Sequence, residues 1–213
     1  MNPLTCRMEL PGWQLYFAAL ALGEGFDPGA LESLVQETDV SFRKGLAGQD
    51  LAGQPVIGAL RELFRQAGTS PSRYRPSSEA LGRRVLKGEG LPRIQPLVDL
   101  NNLLSLITLC PCCVMRLETV EPPLVLRRGE PGEALHGLRG VLELDGKPVL
   151  ADARGPFGTP ITDDHRVVLQ PGDRSALLVA YVPAAAAVDA GAVLGRLAGR
   201  LPGVCLGPEW RFA

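Results

Sequence analysis

The chain has 213 residues, of which 46% are apolar, and it carries 22 basic against 23 acidic side chains. This length and apolar content suffice to bury the core of one large domain, and the near-zero net charge excludes a global attraction to nucleic acid or to an anionic membrane. The longest apolar stretch, residues 15–22, is far shorter than the ~20 residues that a membrane span needs.

The N-terminus and the cysteines both indicate the cytoplasm. Glu9 and Pro11 interrupt any signal-peptide pattern before the first apolar stretch begins. Three of the five cysteines crowd together at Cys110, Cys112 and Cys113, unlike the spread pairs of a secreted disulfide protein. We therefore expect a soluble protein of the reducing cytoplasm.

The first third of the chain predicts one strand and then helices. The apolar run 13–22 indicates a buried strand, with a short buried helix as the alternative. Asp27 and Pro28 can cap a helix over residues 29–38. Apolar positions at helical spacing from Val56 onward predict a second helix, which Gly68 would end.

Two further helices are expected before residue 109. Ser77 or Ser78 can cap the first, which would run to Lys87 and stop at Gly88. The second follows Pro96. Its expected core stripe consists of Leu97, Leu100, Leu104 and Ile107.

From Cys113 onward the pattern changes to short strands separated by Gly, Pro and Asp. The expected strands cover residues 114–119, 124–126, 140–144, 148–151, 166–169 and 176–182. A last helix is predicted over 188–201. Because helices precede most of the strands, we predict an α+β (irregular α/β) fold with a mixed sheet and flanking helices. Residues 1–213 show no internal repeat or long linker, which predicts a single domain.

Several classes of function lack their motifs. The chain has no P-loop and no Gly-x-Ser-x-Gly elbow, and Gly88-Glu-Gly90 lacks the third glycine of a dinucleotide fingerprint. With His136 and His165 as its two histidines, a His-rich metal site is excluded, and the crowded cysteines are not the separated pairs of a zinc site. We expect no metal, no other cofactor and no ATP site.

Positive charge is concentrated in residues 70–93, which hold six basic and two acidic side chains. Such a patch suits contact with phosphate or RNA, and a tyrosine within it could stack on a base. A solvated helix face is the alternative interpretation. The candidate RNA-binding residues are Arg73, Tyr74, Arg75, Arg83, Arg84 and Lys87.

Polar residues interrupt the apolar helix after Pro96. Asp99, Asn101 and Asn102 fall inside it, although asparagine competes for backbone hydrogen bonds and is a poor helix-interior residue. They could satisfy the backbone at a helix junction. Alternatively, a buried amide could position a polar substrate group or a water molecule.

A Gly/Pro-rich loop over residues 155–166 ends in the polar run Asp163, Asp164, His165 and Arg166. Loops held by fixed turns often carry functional sites. A histidine beside carboxylates is a candidate general base, and an ion pair that braces the loop is the alternative.

Two segments resemble stand-alone B3/B4-domain proteins, a family that includes the tRNA-editing module of the phenylalanyl-tRNA synthetase beta subunit. They are residues 70–88, SPSRYRPSSEALGRRVLKG, and residues 91–106, LPRIQPLVDLNNLLSL. The loop 155–166 is similar to the family's Gly-x-Phe-Gly-Ser-Pro…Asp-Ser-x-Arg segment, with Thr159 and Asp164 in place of its two serines. The likeness spans about residues 10–185 and is strongest over 70–106 and 155–166.

The resemblance implies a cleft for the 3′ end of aminoacyl-tRNA and hydrolysis of the ester of mischarged tRNA in trans. Because that ester is intrinsically labile, a positioned water with oxyanion support could suffice. Asn102 matches an asparagine of the family's pocket, with Asp99 as its partner. Cys113 stands where the family has a histidine, and the family's pocket glutamate has no match in this chain.

The candidate catalytic residues are therefore Asn102, Asp164 and His165. The candidate substrate-binding residues are Asp99, Asn101, Cys113, Gly155, Gly158, Thr159, Asp163 and Arg166. The alternative function is a non-catalytic module that binds tRNA or a small amino-acid-like ligand. A complete synthetase is excluded, because nothing in the sequence resembles an ATP site.

Overall fold

The computed structural model describes residues 4–138 and 140–213. The helices in these residues are α1 (Pro28–Gly45), α2 (Pro55–Ala67), α3 (Ser77–Leu86), α4 (Pro96–Thr108) and α5 (Ala190–Gly199). The strands are β1 (Cys6–Met8), β2 (Trp13–Leu22), β3 (Cys112–Met115), β4 (Leu124–Arg128), β5 (Ala134–Gly137), β6 (Gly140–Glu143), β7 (Pro148–Asp152), β8 (Gly155–Gly158), β9 (Ser175–Pro183) and β10 (Val204–Phe212). No helix among the described residues has both the length and the apolar character needed to cross a bilayer.

The central sheet has the order β10-β2-β9-β3, and each neighbouring pair is antiparallel. Its inner strands β2 and β9 are buried on both faces. Along β2, Tyr16, Ala18 and Leu20 belong to the core on one side, while Leu15 and Phe17 belong to the core on the other. Since successive side chains point to opposite faces, a strand covered on both sides must be apolar at nearly every position.

One face of the central sheet is covered by α1, α4 and α5. Helix α4 lies between the other two and contacts both of them, as well as β3. Leu100, Leu103 and Leu104 bury its apolar face in this core. Because α4 packs against β3, the polar residues of the two elements lie side by side.

The opposite face of the central sheet packs against α2 and a second sheet of order β1-β4-β7-β8, in which β1 and β4 are parallel. The large side chains Phe17, Phe64, Phe157 and Tyr181 fill this second core, and each is fully buried. The hairpin β5–β6 lies beside β8.

The predicted α+β fold with a mixed sheet is confirmed. The strand over 13–22 has the expected bounds, and α2 ends as expected at Gly68, whose φ of 95° is left-handed. The prediction of one domain over residues 1–213 stays a prediction, and residues 1–3 and 139 lie outside the described part of the chain.

Several local predictions were wrong. The expected strand over 114–119 ends at Met115 and is followed by a 3-10 turn over Leu117–Thr119. Pro76, not Ser77 or Ser78, precedes α3, and both serine hydroxyls are buried without a hydrogen-bond partner. Ile107 leaves the core stripe and is 44% exposed. The expected strand over 166–169 begins instead as a 3-10 turn at His165–Val167, because Asp164 caps that turn. Residues 155–158 of the predicted loop form strand β8.

Replacing Leu104 by alanine tests the central position of α4. The side chain is fully buried between the sheet and the other helices. We expect the free energy of unfolding to fall by about 2–5 kcal/mol, measured by urea denaturation. Ile107→Ala on the same helix is the matched control, and its effect should stay below about 1 kcal/mol. Equal losses in the two variants would contradict this packing.

Candidate functional site: a cationic cleft

A cleft of about 760 Å³ opens between α3, α4, β3, the β5–β6 hairpin and the loop after β8. It brings together three of the predicted catalytic and substrate-binding residues, Asn102, Cys113 and Asp163. Four of the predicted RNA-binding residues also line it: Arg75, Arg83, Arg84 and Lys87. Residues separated by almost ninety positions in sequence therefore face the same space.

Short-range contacts between α4 and β3 explain part of this convergence. The amide nitrogen of Asn101 donates to the Cys112 carbonyl oxygen at 3.3 Å, and the Ser105 hydroxyl donates to the Cys110 carbonyl oxygen at 2.8 Å. Leu109, with a φ of 57°, makes the reversal between the two elements. These bonds fix the C-terminal half of α4 against the start of β3, so that Asn102 and Cys113 share one wall.

The loop that carries Asp163 is pressed against the hairpin. A methyl group at Gly137 would lie 3.1 Å from the Thr162 hydroxyl oxygen and 3.3 Å from the Asp163 carbonyl oxygen. The absence of a side chain at Gly137 is therefore what lets the hairpin approach the loop and close this side of the cleft.

We name Arg75, Arg83, Arg84 and Lys87 the cationic rim. Its central element is the fully buried carboxylate of Glu79. Both of its oxygens accept from Arg61 at 3.0 Å, and the Arg83 Nε donates to it at 2.9 Å. Arg75 Nε lies 3.5 Å from the same group. One carboxylate thus orients three guanidinium groups and leaves the cluster with a positive excess.

The other two members of the rim differ in how far they are neutralised. Arg84 pairs with Glu89 at 3.0 Å and donates to the Gly90 carbonyl oxygen. Both side chains of that pair are about half exposed, where ion pairs contribute little. Lys87 is exposed and makes no ion pair with any described residue, so its ammonium group is available to a ligand.

An apolar lip faces the cationic rim. Ile94 is 67%, Leu138 77% and Val141 60% exposed, and all three line the cleft. We name these residues the apolar lip. They are three of the five large apolar side chains that are exposed in the described residues, so exposed apolar surface is concentrated here. Grouped exposure of this kind marks binding surfaces.

Asp163 provides a buried carboxyl in the wall of the cleft. The residue is partly exposed, but its Oδ1 atom is buried and has no hydrogen-bond partner. Burial raises the pKa of this carboxyl from 3.8 to about 7, with a smaller contribution from the charge of Asp164, while the adjacent Cys113 thiol opposes the shift. Near neutral pH the group is therefore poised between its two protonation states.

The three clustered cysteines, Cys110, Cys112 and Cys113, are buried thiols. Burial raises the pKa of Cys110 to about 12 and that of Cys112 and Cys113 well above the usual range. Since the thiolate is the reactive form, Cys113 contacts the cleft as a neutral group and not as a nucleophile. Among the described residues, no group of three or more His, Cys, Asp or Glu side chains could hold a metal ion.

The three polar residues of α4 have different surroundings. The Asn102 side chain is partly exposed in the cleft and makes no hydrogen bond to a described residue. Asn101 is buried and tied to Cys112. Asp99 accepts from Arg93 Nε and from the Ile94 backbone N–H, both at 2.9 Å, so its partners lie in the preceding loop and its carboxylate braces that loop.

Asp164 and His165 lie outside the cleft lining. The Asp164 carboxylate accepts from the backbone N–H groups of Arg166 at 2.9 Å and His136 at 3.0 Å. The His165 ring is 66% exposed and its Nδ1 lies 2.9 Å from the His136 carbonyl oxygen. These contacts connect the loop to the hairpin, and a catalytic role for either residue stays a prediction.

The other predicted residues of this loop also make internal contacts. The Thr159 hydroxyl donates to the Thr162 carbonyl oxygen and accepts from two backbone N–H groups, which closes a tight turn. Arg166 binds the fully buried Asp152 carboxylate at 2.8 Å and the Gly155 carbonyl oxygen. Gly155, Gly158, Thr159 and Arg166 do not line the cleft, and their contact with a substrate stays a prediction.

Arg73 and Tyr74 lie outside the cleft as well. The Tyr74 ring makes cation–π contacts with Arg73 at 5.1 Å and with Lys147 at 4.1 Å. Its face is thus already used by side chains of the protein, and stacking on a base stays a prediction.

Sequence reasoning missed five residues that shape this site. Glu79 was counted as a negative charge against the patch, although Arg75 and Arg83, each four positions away, were a signal that it pairs with them. The apolar lip residues Ile94, Leu138 and Val141 carry no motif. Tyr181 lies in an ordinary buried strand, and its relation to Asp163 depends on the sheet register.

The raised pKa of Asp163 predicts a pH-dependent stability. A carboxyl whose pKa is higher in the folded chain contributes stability that is present below its unfolded pKa and lost as the pH rises through about 7. Asp163→Asn should therefore lose less unfolding free energy than wild type between about pH 5 and about pH 8 in urea titrations. Glu89→Gln, which removes an exposed carboxylate of the same cleft, should retain the wild-type dependence. Identical pH profiles for Asp163→Asn and wild type would refute the buried-carboxyl assignment.

Comparisons with known proteins place the chain in a family. A profile of the family described as the B3/4 domain matches residues 59–189. A crystal structure of an N-terminal fragment of the phenylalanyl-tRNA synthetase beta subunit from Pyrococcus horikoshii is similar with a TM-score of 0.41 and 11% identity, over 85% of this chain and 44% of that chain. The chain thus spans less than half of that fragment. Curated proteins gave no significant match. Because the profile covers more than half of the sequence, the chain belongs to the B3/4 domain family.

Proposed function

We propose that the cleft binds the aminoacylated 3′ end of tRNA and that the protein hydrolyses the ester of mischarged aminoacyl-tRNA in trans. One observation carries the proposal, the meeting of the cationic rim, the apolar lip, Asn102 and Asp163 in a single cleft. Family membership and the sequence resemblance to editing domains support it. We place the activity in the cytoplasm, which suits a chain whose five cysteines are unpaired.

The parts of the cleft match the parts of such a ligand. The cationic rim suits the phosphates of the terminal nucleotides, because Arg and Lys supply most phosphate contacts in nucleic-acid complexes. The apolar lip suits a base or an apolar amino-acid side chain, either of which removes apolar surface from water. The ester would then lie between them, at the wall that Asn102 and Asp163 form.

Because the aminoacyl ester is intrinsically labile, its hydrolysis at this wall requires only a positioned water molecule and a hydrogen-bond donor to the oxyanion. A water oxygen adds to the ester carbonyl carbon and loses a proton, and the carbonyl oxygen becomes an oxyanion. The bond from carbon to the ribose oxygen then breaks, and that oxygen takes up a proton. The Asn102 amide, free of other partners, can donate to the oxyanion or hold the water. Cys113, a neutral buried thiol, does not form an acyl intermediate.

Binding without hydrolysis is the second candidate function. It is favoured by the position of His165, whose ring lies outside the cleft and is engaged with the His136 carbonyl oxygen. A cleft whose described lining contains no histidine ring can still recognise tRNA or an amino-acid-like ligand through charge and apolar contact. The two candidates share the cationic rim and differ in what Asn102 does.

Deacylation of a panel of mischarged tRNAs, including tyrosine on tRNA-Phe, separates the two candidates. We expect wild type to hydrolyse at least one species and Asn102→Ala to lose about 100- to 1,000-fold in rate, the usual cost of removing one oxyanion donor. Gln36→Ala, which removes an exposed amide on α1, is the matched control and should be unaffected. If no species is hydrolysed while tRNA still binds, the hydrolase proposal fails and the binding module stands.

Lys87→Ala tests whether the cationic rim holds phosphate. Since each neutralised phosphate of a single strand contributes about 0.7 to the slope of log K against log salt, the variant should bind tRNA with a slope reduced by about that amount. Lys44→Ala removes an exposed lysine of α1, outside the cleft, and should leave the slope unchanged. Equal slopes for wild type and Lys87→Ala would place the RNA elsewhere.

A further inference from the structure

The Oδ1 atom of Asp163, which has no partner, lies near a second polar atom that has none. A methyl group at Gly158 would lie 3.1 Å from Asp163 Oδ1 and 3.1 Å from the Tyr181 hydroxyl oxygen. The two oxygens therefore flank the same backbone position. Tyr181 is fully buried, and its hydroxyl makes no hydrogen bond to a described residue. Two neighbouring buried polar atoms without partners are an exception that calls for an explanation.

No described cation neutralises Asp163. The groups that face it are the Cys113 thiol of β3, the Tyr181 hydroxyl of β9 and the carboxylate of its neighbour Asp164. All of these are neutral or acidic. The arginines Arg75 and Arg83 of the cationic rim are directed to Glu79 instead.

A buried carboxylate without a counter-ion is costly, and a cation brought by the ligand would remove that cost. Glu79 shows the contrast within the same chain, because its fully buried carboxylate is bound by guanidinium groups. Asp163 is thus an acidic group placed to form an ion pair, but without a cationic partner among the described residues. Because Asp163 lines the cleft, a ligand in the cleft would supply the cationic partner.

We propose that Asp163 binds the α-ammonium group of an aminoacyl ester and so restricts the cleft to ligands with a free amino group; this rests on the proposed function. An ammonium group has three donors, of which one or two can bind the carboxylate. The α-carbon that carries it is bonded directly to the ester carbonyl carbon. Anchoring the ammonium group at Asp163 therefore fixes the ester within the wall shared with Asn102.

The same geometry predicts a selectivity. An N-acylated aminoacyl ester, such as a peptidyl or formyl-aminoacyl ester, has a neutral amide in place of the ammonium group. It would leave the Asp163 carboxylate without a counter-ion. The cleft should therefore discriminate between aminoacyl and N-acylaminoacyl ligands by about 10- to 100-fold, the range for hydrogen bonds to charged groups.

The test uses ligands that cannot be hydrolysed. Adenosine that carries L-phenylalanine or L-alanine through a 3′-amide, and the N-acetyl derivative of each, are titrated into the full chain by calorimetry at about pH 8. Wild type should bind at least one free-amine ligand about 10-fold or more tighter than its N-acetyl derivative. Asp163→Asn should bind the pair equally. Glu89→Gln, which removes an exposed carboxylate from the same cleft, should keep the preference.

The outcomes separate this inference from the proposed hydrolysis. A preference for the free amine that is lost in Asp163→Asn supports the ammonium site even if no tRNA is deacylated. Equal binding of both members of each pair by wild type, no binding of any ligand, or a preference that survives in Asp163→Asn overturns it, whatever the deacylation panel shows. Urea denaturation of Asp163→Asn verifies that the variant is folded.

Discussion

The pairing of β2 with β9, from Trp13–Pro183 to Ala21–Ser175, is the constraint on which the other layers depend. Both strands bury both of their faces, so their stability depends on the helices on one side and on α2 with the second sheet on the other. Alternate side chains of this strand pair belong to the two cores, so the hydrogen-bonded pair connects them. The cleft lies where the layers stop covering one another, at the end of the sheet that β3 extends.

Two buried carboxylates define the electrostatics of this edge, and they differ in their environment. Glu79 is surrounded by guanidinium groups and acts as a fixed centre that holds cations outward. Asp163 has thiol, phenol and carboxyl neighbours and no cation among the residues that the structure describes. Two carboxylates thus differ in their partners: Glu79 is already paired with guanidinium groups, whereas Asp163 can still accept a cation. Net charge, which is close to zero for the chain, conveys nothing of this local division.

Much of the fold followed from the sequence because its signals were local. The apolar run of β2, the Asp27 cap of α1 and the glycine after α2 each depend on a few adjacent residues. The strand β8 and the partners of Asp99 and Arg166 depended on contacts between distant segments, which periodicity does not report. For the site, residue types identified Asn102 and Asp163 as candidates. The direction in which Asp164 and His165 point depended on the hairpin, which has no sequence signature.

The hairpin β5–β6 carries part of the apolar lip but is fastened to the body near His136. The Asp164 carboxylate binds its backbone N–H, and the His165 ring binds its carbonyl oxygen. These two hydrogen bonds hold the hairpin, which forms one side of the cleft, against the loop that follows β8. Asp164 and His165 can thus influence the width of the cleft, so altered turnover in a variant of His165 would report on that width as readily as on chemistry.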